Sequence, residues 1–404
     1  MPRLRFPSLI LAGVLGVSSF GTIAMAVQGK LKVGDPAPPL AVSTWLRGAE
    51  VKGFEPGRVY VIEFWATWCG PCRQIMPHIG DLQDEYREKG VTFIGFASEA
   101  NDKEAKVNAF VAKQGAKLGY TFAFGSGSET HNAYMKASGQ NGIPCSFVVD
   151  KQGRIAYIGH PLFLDFVLPK VLDGTWDQKA GADTLAEADK DFDAAYAVMS
   201  TTTNSAEAGL QALAKFAAKW PALADNVYMI QSKLGLLVRG KQFLEAKELA
   251  EKLIAKAVAR GDTSGLRTVS TALRNDSTKG HADLTALAIR AVEASYALDQ
   301  ENPATLLNLL DVYAFAGDQT KVKEFGPKAV AAAKAAVEGE NDAIGTLTVA
   351  AAYFASGDKE QAKSTAEKAI KMVDRANAGL LRYVEQQAKK YGAEPQKHQD
   401  KSDR

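Results

Sequence analysis

Cys69 and Cys72 stand two residues apart in Trp68-Cys69-Gly70-Pro71-Cys72, between a β-branched and aromatic run, Val59 to Trp65, and a stretch with helical patterning that begins near Pro71. A helix starting there aims its unpaired N–H groups and the positive end of its dipole at the first sulfur, which favours a thiolate. Cys69 is therefore read as the nucleophile. Cys72 follows one helical turn later, within disulfide reach but less exposed, and is read as the resolving thiol. Attack by Cys69 on a client disulfide would give a mixed disulfide, which Cys72 then displaces, closing a 69–72 bridge. No cofactor beyond that redox-active Cys69–Cys72 disulfide is expected. No metal is expected either, because structural zinc usually takes four Cys or His ligands and the chain has no second Cys-x-x-Cys.

Two kinds of element must carry this motif. From about Leu31 to Gly174, short β-rich runs alternate with helical patterns: a strand over 59–65, a helix from Pro71 to about Lys89 stopped by Gly90, a strand over 91–96, and a helix over 103–114. A strand, crossover helix and second strand imply a right-handed βαβ unit. Ser146 to Val149 and Arg154 to Ile158 read as an antiparallel hairpin, covered by a helix from Leu162 to Leu172. After Gly174 the β signals vanish. Ala, Leu, Lys and Glu dominate, with a helical domain beginning near Leu185 and glycine turns at Gly240, Gly280, Gly317 and Gly357, spaced 40, 37 and 40 residues apart. Tyr353 lies four residues before Gly357, and Ala362, Ala366 and Ala369 then share one helical face; Tyr313 stands in the same relation to Gly317.

The 404 residues carry 48 Lys plus Arg against 46 Asp plus Glu, so the formal charge of +2 is too balanced for a protein that neutralises many phosphates, and nucleic acid is not an expected partner. At the N-terminus, Arg3 and Arg5, the apolar run Leu9 to Val17 and Ala24-Met25-Ala26 read as a signal peptide over 1–26. The run is shorter than the ~20 residues of a membrane span. The mature protein is thus expected outside the cytoplasm, periplasmic or otherwise extracytoplasmic, and soluble. Residues 394–404 form a polar tail.

Phe64-Trp65-Ala66-Thr67-Trp68-Cys69-Gly70-Pro71-Cys72-Arg73, followed by Met76-Pro77, resembles the thioredoxin superfamily, and Val33-Gly34-Asp35-Pro36-Ala37-Pro38 with the leader narrows the resemblance to TlpA/ResA-like thiol–disulfide oxidoreductases. It implies an α/β thioredoxin-like domain over 31–175, followed by an all-α helical-hairpin solenoid over 185–393 that resembles tetratricopeptide repeats, although its spacing exceeds the ~34 residues of that family. By resemblance, Ile143-Pro144 is the cis-proline loop facing the cysteine pair and binds an extended client as an added strand. Trp68, Gly70 and Pro71 border the same client surface. Glu63, six residues before Cys69, would be a buried acid that accepts the Cys72 proton through water, although period-2 alternation in so short a run leaves a surface position open. The family often has Glu three residues after the second cysteine. Ile75 stands there, so a mechanism using that acid does not transfer.

Cys145 departs from the family pattern. It reads as a small buried apolar thiol, with an accessory role in a regulatory disulfide or a metal site with Cys69 and Cys72 as the alternative. His78 reads as a packed or surface histidine rather than a copper ligand. The implied partners are oxidised protein substrates, a membrane thiol–disulfide electron donor, and a protein recruited by the helical repeats unless these serve oligomerisation. Gly70-Pro71 between the cysteines points to a reductant. Two other functions compete: a thiol peroxidase, weakened because Ala66 replaces the Thr or Ser expected three residues before a peroxidatic cysteine, and a non-catalytic adaptor built on the repeats.

Overall fold

The computed structural model describes residues 31–201, 205–339, 342–374 and 377–394. The signal-like segment 1–26 and the tail beyond residue 394 lie outside the described residues. Six strands form one mixed sheet in the order β1-β4-β3-β2-β5-β6, comprising β1 Thr44–Arg47, β2 Val59–Phe64, β3 Val91–Ser98, β4 Thr121–Gly125, β5 Cys145–Val149 and β6 Ile155–Gly159. The parallel neighbours β2, β3 and β4 are joined by crossover helices α1 (Gly70–Tyr86) and α2 (Glu104–Leu118), while β5 and β6 return antiparallel. A short α3 (Glu129–His131) runs into a π turn at Asn132–Lys136, and α4 (Leu164–Asp173) covers the hairpin.

The sequence reading omitted β1 and β4. Thr121–Gly125 is a five-residue run buried at every position, and so short an apolar run has no period by which to recognise it. Pairing with β3 on one side and β1 on the other makes it a strand. Burial sorts the residues of β2 by alternation. Val59, Val61 and the following Trp65 join the apolar cluster under α1, whereas Tyr60, Ile62 and Phe64 join the cluster on the other face. Gly80 lets α1 and α2 approach closely, since a Cβ there would stand 2.3 Å from the Leu118 carbonyl oxygen.

The helical half starts earlier than expected. The Asp177 carboxylate accepts from the Ala180 amide at 2.7 Å, capping α5 (Gln178–Ser200) seven residues ahead of Leu185. There follow α6 (Ala206–Lys219), α7 (Val227–Arg239), α8 (Phe243–Arg260), α9 (Thr263–Leu273), α10 (Ala282–Leu298), α11 (Pro303–Ala316), α12 (Gln319–Ala335), α13 (Ala343–Ala355), α14 (Lys359–Met372) and α15 (Ala378–Ala388). The four glycine turns join α7 to α8, α9 to α10, α11 to α12 and α13 to α14. Gly317 and Gly357 take the left-handed conformation, at φ +79° and +94°, but in the first turn Lys241 takes it instead of Gly240. Ala362, Ala366 and Ala369 are fully buried, as close packing of α14 on its neighbours requires.

The two halves share one core. The cluster under α1 continues without a break into Ala188, Met199, Phe216, Trp220 and Met229 of the helical half. The outer face of α1 is covered by α7, α8 and α9: Gln74 bonds Gln231, Lys256 pairs with Asp81 at 2.7 Å, and Arg260 reaches Asp81 and Asp84, both at 2.6 Å. Lys113 of α2 pairs with Asp299, at the end of α10, at 2.6 Å. Arg260 is largely buried while bridging two carboxylates, so Arg260→Ala leaves Asp81 to Lys256 alone and the half-exposed Asp84 to Arg87 alone. Chemical denaturation of the whole chain is expected to register a loss of about 1–3 kcal/mol.

Candidate active site

The N-terminus of α1 is organised by a sulfur. Cys69 is the N-cap residue, in extended conformation, and its Sγ accepts from the Cys72 amide at 3.1 Å. Pro71, inside the first turn, has no amide proton to leave unsatisfied. Cys69 and Cys72 are joined as a disulfide, with Cys69 3% exposed and Cys72 fully buried. The Ile143–Pro144 peptide is cis, and the Ile143 carbonyl oxygen lies 3.7 Å from Cys69 Sγ. The motif and the loop more than 70 residues away therefore form one surface, with Gly70 and Pro71 exposed at its rim.

Trp68 is the most exposed aromatic bordering this surface, at 66%, and it is held by a hydrogen bond from Nε1 to the Asn101 carbonyl at 2.8 Å. The neighbouring Asp102 carboxylate accepts from the Thr67 amide at 2.6 Å, and Asn101 Nδ2 donates to the Trp65 carbonyl at 3.4 Å. Sequence reasoning missed these two supports. Their signal is position: an Asn-Asp pair just past the carboxyl end of a parallel strand, where sites in such sheets gather.

Glu63 is fully buried and lies on the α1 side of the sheet by alternation with Val61 and Trp65. Neither carboxylate oxygen has a hydrogen-bond partner, and burial holds its pKa well above the ordinary 4.5. Cys145, by contrast, sits opposite Phe64 in the β2–β5 register and belongs to the cluster on the far face, with Tyr134 and Phe147. Burial, with a smaller contribution from the Glu63 charge, pushes its thiol up to about 12. Cys145 is thus separated by the sheet from the disulfide rather than gathered with it, and no cluster of three or more His, Cys, Asp or Glu suited to a metal occurs among the described residues. His78 faces α4, its Nε2 2.7 Å from Asp165. Ile75 is fully buried.

The helical half also reaches the site. Arg73, next to Cys72, donates to the Thr67 carbonyl at 3.5 Å; burial lowers its pKa against the raising effect of Asp299 and Asp262 from the helical half. Burial and Arg73 together bring Arg267 of α9 down to about 10. Nothing local in the sequence announces these interactions, since Asp262, Arg267 and Asp299 lie 189, 194 and 226 residues from Arg73.

Two outcomes follow. In the reduced native protein, a thiol-reactive reagent near neutral pH is expected to count two cysteines, with Cys145 reacting only after denaturant is added. For Glu63 the folded pKa lies above the unfolded one, so the folded state binds the extra proton. Its contribution to stability is fully present below about pH 4.5 and is lost as pH rises through the folded value. Glu63→Gln removes this dependence, and denaturation at several pH values should find its stability relative to the unaltered protein increasing from acid toward alkaline pH.

Comparison with known proteins locates this arrangement. The redoxin family model matches residues 32–162. Protein FixW of Rhizobium leguminosarum is 37% identical over 155 residues, covering 37% of this chain and 70% of the relative. The thiol-disulfide oxidoreductase ResA of Bacillus thuringiensis is 32% identical over 36% of this chain and 80% of its own length. The thiol:disulfide interchange protein HelX of Rhodobacter capsulatus is 30% identical over 44% of this chain and 98% of its own. With a thioredoxin-like sheet, a disulfide capping α1 and relatives of this kind, the chain belongs to the redoxin family of thioredoxin-like proteins and is a thiol–disulfide oxidoreductase of the ResA and HelX type.

Proposed function

We propose that the protein acts outside the cytoplasm as a reductant of protein disulfides, with Cys69 as nucleophile, Cys72 as resolving thiol and Glu63 as acceptor of the Cys72 proton. The observation that carries this reading is Cys69 Sγ at the cap of α1, bonded to an amide that would stabilise the thiolate once the disulfide is reduced. The Ile143 and Pro144 backbone beside that sulfur supplies an edge for an extended client strand, and exposed Trp68, Gly70 and Pro71 complete the contact surface. A membrane thiol–disulfide donor would return electrons to the pair. The leader-like residues 1–26 support an extracytoplasmic, periplasmic location, and no helix of the described residues is long and apolar enough to cross a membrane.

The helical half, tetratricopeptide-like in its paired helices, would recruit a partner through its later pairs, because α7 to α9 are occupied by α1. A groove of about 830 Å³ bordered by Lys334, Tyr353, Gln361 and Lys368 supports that placement. No structural observation favours the peroxidase or the adaptor.

Cys69→Ala is expected to abolish disulfide exchange, and Cys72→Ala to accumulate mixed disulfides with clients that gel electrophoresis resolves without reductant. A Cys69→Ala protein that retained exchange activity would overturn the reading. The potential of the pair is expected near the roughly −270 mV of reducing thioredoxins, and a value near −120 mV would make the protein an oxidant instead.

A further inference from the structure

Three buried side chains on the α1 side of the sheet have unpartnered polar atoms: both carboxylate oxygens of Glu63, Oγ of Ser146 and Oη of Tyr120. The register brings them together. Ser146 of β5 is directly opposite Glu63 on one side, and Gly95 of β3 on the other. A Cβ at Gly95 would stand 3.0 Å from the rings of both Tyr120 and Phe122. Gly95 therefore makes room for the Tyr120 ring beside Glu63, and the phenol is electrostatically coupled to that carboxylate. Trp65 Nε1, one step along the same face, is a further unpartnered donor. Native chains nearly always satisfy such atoms, and a single water bonded to two to four buried groups is a common means.

We propose that Tyr120 and Ser146 are positioning residues for Glu63, their hydroxyls meeting the carboxylate through one shared buried water that holds it ionised and ready to take the Cys72 proton. The inference rests on the reading of Glu63 as proton acceptor. Donors to a carboxylate favour its charged form and oppose the desolvation that otherwise keeps it protonated. Tyr120 ahead of β4 and Cys145 on the far face of β5 feel the Glu63 charge, and Cys72 is buried on the inward side of α1; Tyr86 lies at the opposite end of α1, and Tyr157 of β6 interacts with Cys145. The inward residues of α2 and α4 are apolar apart from Gly115.

In the release step the Cys72 S–H bond breaks and its proton passes through the water to Glu63. The freed electron pair forms the Cys72–Cys69 bond, and the Cys69–client bond breaks with its pair leaving on the client sulfur, which takes up the proton that Glu63 passes on. The two thiols are oxidised by two electrons and the client disulfide is reduced by two.

The test uses the reduced full chain and dithionitrobenzoate, whose first released thionitrobenzoate reports Cys69 attack and whose second reports Cys72. Tyr120→Phe is expected to move the pH midpoint of the second phase upward by about one unit, leaving the first phase unchanged. Ser146→Ala is expected to move it in the same direction, and neither change should shift the profile further in a Glu63→Gln background. A merely structural role would act without regard to Glu63. If Tyr120→Phe keeps the native midpoint, the inference is overturned while Glu63 remains the acceptor; if that variant does not fold, Ser146→Ala decides by the same criterion. If Glu63→Gln keeps the native midpoint, Glu63 takes no part in the step and both the reading and the inference fall.

Discussion

The Cys72 amide points at Cys69 Sγ across 3.1 Å, and most of the molecule is arranged to keep it there. A helix start leaves amides unpaired, and here the capping atom that receives one of them is a sulfur of the disulfide. That constraint fixes where α1 must begin, and so where β2 must end. It also requires a rigid base. The buried strand β2, hydrogen-bonded on both sides by β3 and β5, supplies one that cannot slide without turning every side chain to the wrong face.

The sheet then divides the polar chemistry by face. Glu63 and Ser146 lie beneath α1, on the same side as the disulfide, whereas Cys145 and Phe64 point to the other layer. One residue of register thus separates a thiol in an apolar cluster from a carboxyl on the α1 side of the sheet. Desolvation acts on both, raising each pKa and favouring the neutral form. For Cys145 this means inertness. For Glu63 it raises the pH at which the carboxyl gives up its proton.

The helical half is more than an appendage. Its α5 to α7 side chains complete the core under α1, and Arg260, Lys256 and Gln231 cover the outer face of that helix. Asp299 and Arg267 bring charge close to Arg73, beside the redox pair. The helix carrying the disulfide is therefore clamped between the sheet and a second set of helices, with Trp68 and the cis-proline loop bordering the disulfide.

From the sequence alone, the cysteine pair, its place between strand and helix, the βαβ unit and the helical hairpins with their glycine turns were all legible, because each depends on a local pattern: a motif, a period or a turn residue. Local pattern also explains what was misjudged. The run at β4 has no period to reveal it, and the Asp177 cap that starts α5 is a single side chain ahead of a polar first turn. Tertiary structure alone decided that Glu63 faces α1, that Asn101 and Asp102 hold the Trp68 loop, that Cys145 lies across the sheet from the disulfide, and that Asp81 and Asp84 are partners of Arg260. Each of these depends on strand register or on packing between residues tens to hundreds of positions apart, and a chain read in order carries no record of which distant segments burial will force into contact.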